Sequence, residues 1–311
     1  MQTAIDIVLQ AGHSAIEVSL YTLLPIMVVM TILLRIFEVT GILGWVMRWA
    51  APVATPFGLT GLGIVAMVQI SLVSFVAPLP TLSLMEDRGT SDRRLCATFA
   101  AVLAMAPANA TFPLAVLGLD VEKTLMISVL GGLAAASSVY WLFGRRLSNT
   151  PRQIMAVEKE LFKSPSLLKI VNASGAEAIR IVMSIIPMLL MSLVVVNALQ
   201  RTGVIAAFVY GLAPGLRLLS IQPGFVLPAL TKYLAGSTAL VGITHDLAGQ
   251  GRLDPSVMSL AGAGFLLHPL DLPGLAILVS AGPRLAKTSL VAVAGGCAGI
   301  ALRVMLGVLL G

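Results

Sequence analysis

Charge is scarce in this chain. Its 311 residues include 20 Lys and Arg and 14 Asp and Glu, together 11% of the sequence, against 58% hydrophobic residues. A soluble domain carries about 25% charged residues, so a water-soluble globular domain is excluded. Histidine and cysteine are scarcer still. His13, His245 and His268 are scattered, and none belongs to an H-E-x-x-H pair. G-x-S-x-G and Walker A segments are missing as well, which argues against a zinc protease, a serine hydrolase and an ATP-driven pump. No catalytic cluster is expected, and the chain reads as a non-enzyme without cofactor or metal. Cys96 and Cys297 lie in apolar segments and read as small packing residues, not as a disulfide or a metal pair. Alternating segments of about ten residues are also missing, which excludes a membrane β-barrel. The pI near 9.7 would suit nucleic acid. The basic residues sit in loops, however, as membrane topology requires, and no nucleic-acid partner is expected.

What is present is a set of long apolar runs. Trp49 to Met85, Leu95 to Leu119, Thr124 to Gly144 and Ile181 to Gln200 contain no Asp, Glu, Lys or Arg. Each reaches the ~20 residues that an α-helix needs to cross a bilayer. The expected fold is an all-α polytopic membrane protein with the lipid bilayer as its solvent. Residues 1–13 carry no basic n-region and no cleavage site. They read as a short amphipathic surface helix, not as a cleaved signal peptide.

The chain is written twice. At an offset of 162, Pro25 falls on Pro187, Thr40-Gly41-Ile42-Leu43 on Thr202-Gly203-Val204-Ile205, Ala51-Pro52 on Ala213-Pro214, and Pro107 on Pro269. At an offset of 164, Lys123-Thr124 and Gly131-Gly132 fall on Lys287-Thr288 and Gly295-Gly296. Shared Pro and Gly fix backbone breaks, so they are better markers of a repeat than shared Ala or Leu. Residues 14–143 form the first repeat and residues 175–311 the second. Residues 144–174 form a polar linker, with a surface helix expected over residues 151–162.

Each repeat holds about five hydrophobic elements. In the first they are residues 14–37, 42–54, 59–85, 94–119 and 121–143. In the second they are 176–200, 204–213, 224–244, 255–279 and 287–310. The third elements are rich in Ser, Gly and Pro, and are expected to be broken or re-entrant with tips near Ser74 and Ser237. The fourth elements are expected to break at Ala106-Pro107 and Phe112-Pro113, and at His268-Pro269 and Leu272-Pro273.

Charge asymmetry sets orientation. Arg145, Arg146, Arg152, Lys159, Lys163, Lys169 and Arg180 surround the linker, and Arg88, Arg93 and Arg94 fill the loop between the third and fourth elements. Both regions should be cytoplasmic. An odd span count per repeat then makes the two repeats inverted in the membrane, with both termini outside. Two inverted repeats are the usual build of a secondary transporter, with its site between them near the midplane.

Candidate binding residues sit at the breaks. Asn109 and Thr111 lie between the two prolines of the first repeat. His268 and Asp271 lie in the matching frame of the second. Gln69, Ser71 and Ser74 mark one third element. Lys232, Tyr233, Ser237 and Thr238 mark the other. Close helix packing through small residues is the competing reading for the Ser and Thr set. Lys232 and Asp271 are different. An ionisable group deep in a span is costly and faces a cavity or a partner, so these two are expected to pair.

Pro25…Thr40-Gly41…Pro52 followed by a small-residue hairpin resembles the Gate domain of the nucleoside recognition family. Pro187…Thr202-Gly203…Pro214 with Ala235-Gly236-Ser237-Thr238-Ala239 resembles it too. That domain recurs in concentrative nucleoside transporters, in bacterial ferrous iron transporters and in spore maturation proteins. The resemblance implies a multi-pass protein of the bacterial inner membrane that moves a small polar solute by alternating access, coupled to Na+ or H+; a homo-oligomer is compatible with it. The N-E-F-V-A type segment that binds ribose and sodium in the nucleoside transporters is missing here, so the likeness bears on architecture before ligand. Resemblance to spore maturation proteins leaves a second reading open: a non-transporting membrane partner or sensor subunit of a larger complex.

Overall fold

The structure, a computed structural model, describes residues 2–151, 167–203 and 222–311. Every regular element among them is helical. The surface helix expected at 151–162 and the element expected at 204–213 lie outside the described residues.

The described chain opens with α1, Gln2–Ile16, which runs through a π-helical stretch, Glu17–Leu23, into α2, Leu24–Val39. The segment expected to be a separate surface helix is thus continuous with the first span, Ile5–Phe37. Thr40 and Gly41 end α2. The Thr40 hydroxyl donates to Ile36 O at 2.7 Å, and Gly41 takes φ +79°, a left-handed value that glycine adopts without strain. The second repeat ends its first helix, α9 (Leu167–Arg201), in the same way: Thr202 donates to Ala198 O at 2.9 Å and Gly203 sits at φ +74°.

After the Thr40-Gly41 turn, α3 spans Ile42–Ala54, the range expected from sequence. It meets the next helix, α4 (Gly61–Leu72), at a bend of 100°. Thr60 caps α4 by accepting from Gly63 N at 3.2 Å. Residues 73–78 then unwind, and α5 (Leu79–Asp87) packs back against α4. Gln69 Oε1 ties the two arms together by accepting from the Thr81 hydroxyl at 2.7 Å. This is the broken hairpin expected around Ser74.

The fourth element is α6 (Asp92–Ala104) followed by α7 (Ala108–Ala115). The break falls at Met105–Pro107, because the residue before a proline is driven out of the α region. No second break occurs at Phe112-Pro113. Pro113 lies inside α7, so that part of the sequence expectation is corrected. The fifth element is α8 (Val121–Ser138) with a π-helical end, Val139–Phe143.

In the second repeat, α10 (Pro223–Ala235) and α11 (Ser237–Gly249) form the matching hairpin. Its tip is Gly236, at φ +91°. Then α12 (Leu260–Leu266) and α13 (Leu272–Val279) flank the second break, and α14 (Pro283–Leu310) closes the chain.

The centre is a three-helix contact of α6, α8 and α14. Gly131 of α8 faces Gly299 and Arg303 of α14, and Gly295 of α14 lies against Ala135 and Val139. A Cβ on Gly299 would lie 2.8 Å from Ala135 Cβ and 2.9 Å from Ala104 Cβ. Small residues let the backbones approach where no water can drive packing. The helix α6 is almost wholly buried within this core.

Among the described residues, four helical stretches are long and apolar enough to cross a membrane: Ile5–Phe37, Asp92–Ala115, Val121–Phe143 and Pro283–Leu310. The bent pair Arg48–Phe57 and Gly61–Leu72 adds a fifth if taken as one span. Large hydrophobics such as Tyr21, Trp49, Leu290 and Val308 are exposed on the surface, which suits a multi-pass membrane protein.

Candidate functional site

The hairpin tips and the two helix breaks meet in the interior, and Asn109 is where they join. It sits in the first turn of α7. Its Oδ1 accepts from Phe75 N at the first tip, at 3.3 Å. Its Nδ2 donates to Thr238 Oγ1 at the start of α11, beside the second tip, at 3.4 Å. Ser237 donates to His268 O at 3.1 Å, which ties the second tip to the second break.

Lys232 and Asp271 form the buried ion pair expected from sequence. Lys232 Nζ donates to Asp271 Oδ2, and both side chains are sealed from solvent. The other carboxylate oxygen of Asp271 accepts from Gly274 N at 2.7 Å and so caps α13. Lys232 also lies 5.3 Å from the centre of the Tyr233 ring, within reach of a cation–π attraction.

His268 is neutral by its hydrogen bonds. Its Nδ1 accepts from Leu270 N at 3.2 Å, so that nitrogen carries no proton. Its Nε2 donates to Phe265 O at 2.9 Å. The Tyr233 hydroxyl donates to the same carbonyl at 3.2 Å.

Backbone groups freed at the breaks cannot stay unpaired in a membrane interior. At the first break, Ala106 N donates to Ser128 Oγ at 2.7 Å, and the Thr111 hydroxyl donates to Pro107 O at 2.9 Å. One carbonyl at the end of α6 and two at the end of α12 accept from a residue that the sequence reading passed over. Arg303 Nη1 donates to Ala104 O at 2.6 Å and to Leu267 O at 2.7 Å, and its Nη2 donates to Ala263 O at 3.2 Å. One guanidinium therefore fastens the C-terminal end of α6 to the C-terminal end of α12. Arg303 is 0% exposed. Helix C-termini carry partial negative charge, which makes them a natural seat for a cation. The signal was available: Arg303 is a lone charge deep in an apolar run, by the same rule that singled out Lys232 and Asp271.

The other expected residues divide. Ser74 is buried at the first tip with its hydroxyl unpartnered, as is Thr231 beside Lys232. Gln69 is spent on holding its own hairpin. Ser71 does not join the centre. It lines an apolar groove of about 680 Å³ with Trp45, Trp49, Met67 and Leu133.

A second polar cluster, also missed in the sequence reading, lies at the loop end of α5. Glu86 accepts from Arg284 N at 3.0 Å and Leu285 N at 3.4 Å, capping α14. Arg284 in turn donates from Nε to Asp92 Oδ1 at 2.7 Å, and also to Glu86 O and Thr90 O.

No family model matches the chain, and no curated protein matches its sequence. Solved structures do match. CNTnw in an inward-facing substrate-bound state superposes with a TM-score of 0.63 at 12% identity, covering 98% of this chain and 83% of that one. A CNTnw double mutant in an outward-facing state gives a TM-score of 0.68 at 12% identity, over 98% of this chain and 84% of that one. A CNTnw mutant in an intermediate state gives 0.62 at 12% identity, over 92% and 75%. At such identities the likeness bears on the fold: this chain is built like a concentrative nucleoside transporter.

Proposed function

We propose that the protein is a secondary transporter that moves a small polar solute across the bacterial inner membrane by alternating access between two inverted repeats. The observation that carries this reading is Asn109, which links the tips of both hairpins through Phe75 and Thr238 at the level of both breaks. Opening either tip breaks one of these bonds, so the same residue that closes the centre can release it to one side or the other. The fold shared with CNTnw, solved in inward-facing, outward-facing and intermediate states, supports the same reading. The solute-facing set is then Ser74, Asn109, Lys232, Tyr233, Ser237, Thr238, His268 and Asp271, with Thr111 shaping the first break. Nucleoside-like solutes are the first to test, because the structural neighbours are named for nucleosides. The coupling ion is Na+ or H+.

The competing reading is a non-transporting membrane partner or sensor subunit. It draws on Lys232 and Asp271 pairing with each other and on Asn109 bonding to both hairpins, which occupy these polar groups without a solute. Reconstitution separates the two. Purified protein in liposomes, under an inward Na+ or H+ gradient, should accumulate labelled solute, and Asp271→Asn should abolish accumulation while the protein stays folded. Absence of flux across a panel of nucleosides, nucleobases, amino acids and divalent metals would favour the non-transporting reading.

A further inference from the structure

The charges at the centre do not balance. Lys232 and Asp271 cancel. His268 is neutral, since its Nδ1 is occupied as an acceptor. Arg303 is left over. Its partners are three backbone carbonyls, and no carboxylate among the described residues lies within ion-pair distance of it. It holds the carbonyl of Leu267, the residue next to His268. Carbonyl dipoles satisfy the hydrogen bonds of a guanidinium without neutralising it. A buried charge lacking a counter-charge is costly in a membrane interior.

Donors are unspent at the same place. A guanidinium has five N–H groups. Two on Nη1 and one on Nη2 are used, whereas Nε is buried with no acceptor. The donors that remain are the Nε hydrogen and one of the two on Nη2, and a guanidinium's N–H groups bind a carboxylate or phosphate well. On the two hairpins, the buried hydroxyls of Ser74 and Thr231 are also without a partner.

Resting on the transport reading, we infer that the solute is an anion, whose carboxylate or phosphate supplies the counter-charge to Arg303. The neutral majority of the lining would then hold the rest of the solute, while the surplus positive charge selects its charged group. Neutral analogues would leave the cation uncompensated and its donors unspent, so they should bind more weakly by about 10- to 100-fold, the usual worth of charge-assisted hydrogen bonds.

The test uses the full chain in liposomes with matched pairs of solutes: orotate with uracil, uridine monophosphate with uridine, and succinate with succinamide. The carboxylate and phosphate arms tell the two anion chemistries apart. The inference expects uptake, and a raised melting temperature, for the anionic member of at least one pair and not for its neutral partner. Uptake of neutral members at equal or higher rate overturns the inference and leaves the transport reading standing. No uptake of either member in any pair overturns both. Arg303→Lys, which keeps the charge, should retain the preference for the anion. Arg303→Gln should lose it, and its melting curve shows whether it has folded. An undiminished anion preference in folded Arg303→Gln would overturn the assignment to this residue.

Discussion

Asn109 and Thr238 are 129 positions apart in sequence, yet the amide of one donates to the hydroxyl of the other at 3.4 Å. The starts of α7 and α11 are thus joined to each other. Replacing Asn109 with Ala strands Phe75 N–H and removes the link to Thr238. The expected loss is about 1–3 kcal/mol, since a buried donor is left unpaired. Thermal melts in detergent read it. Asn109→Asp puts an unpaired carboxyl group in the same buried place and should cost at least as much as Asn109→Ala.

Lys232→Met leaves Asp271 charged and buried, and breaking such a pair from one side costs about 3–5 kcal/mol. Adding Asp271→Asn should recover a large part of the stability, because both charges are gone and the Asn oxygen can still cap Gly274. Uptake should be lost in the single and the double variant alike. A double variant no more stable than Lys232→Met would argue against the pair as the source of the cost.

Gly131→Ala should destabilise by roughly 1–3 kcal/mol, as overpacking does. Its Cβ would lie 2.6 Å from Arg303 Cδ and 3.0 Å from Gly299 O. Gly44→Ala is the contrast. Nothing lies within 4 Å of that Cβ, and Ala is the better helix former by about 1 kcal/mol. The two substitutions should therefore shift the melting temperature in opposite directions.

Arg284→Ala removes the link from the loop between α5 and α6 to the start of α14. Backbone amides of residues 86–92 should exchange faster by mass-spectrometric hydrogen exchange, and those of the α6, α8 and α14 core should not. Global loosening would mean that this cluster holds more than its loop.

Inversion of the repeats predicts that Arg88 and Arg252 lie on opposite sides of the membrane. Reporter fusions or thiol labelling at the two positions read this directly. The same side for both would rule out an inverted build.

Local breaks were legible in the sequence because Pro and Gly act on their own backbone. The Thr40-Gly41 stop, the α3 range of Ile42–Ala54, the unwinding near Ser74 and Gly236, and the break before Pro107 all follow from residues at the spot. Pro113 shows the limit of that logic. It is the sixth of the eight residues of α7, so the N–H it lacks costs one bond in the last turn of a helix that stops two residues later, and the helix is not broken there. The pairing of Lys232 with Asp271 was legible for another reason: two isolated charges in apolar surroundings have few other options.

What the sequence by itself determined is therefore a membrane-embedded, all-helical chain, where its helices stop, and which polar residues fall at the stops. Composition and backbone chemistry decide these things residue by residue. Only the tertiary structure decided who answers the groups that those stops set free. Ser128 serves Ala106, Glu86 caps a helix that begins 197 positions later at Pro283, and Arg303 reaches Ala104 across 199 positions. Hydrogen-bond satisfaction in a waterless interior is settled by which helices touch, and no local pattern carries that information.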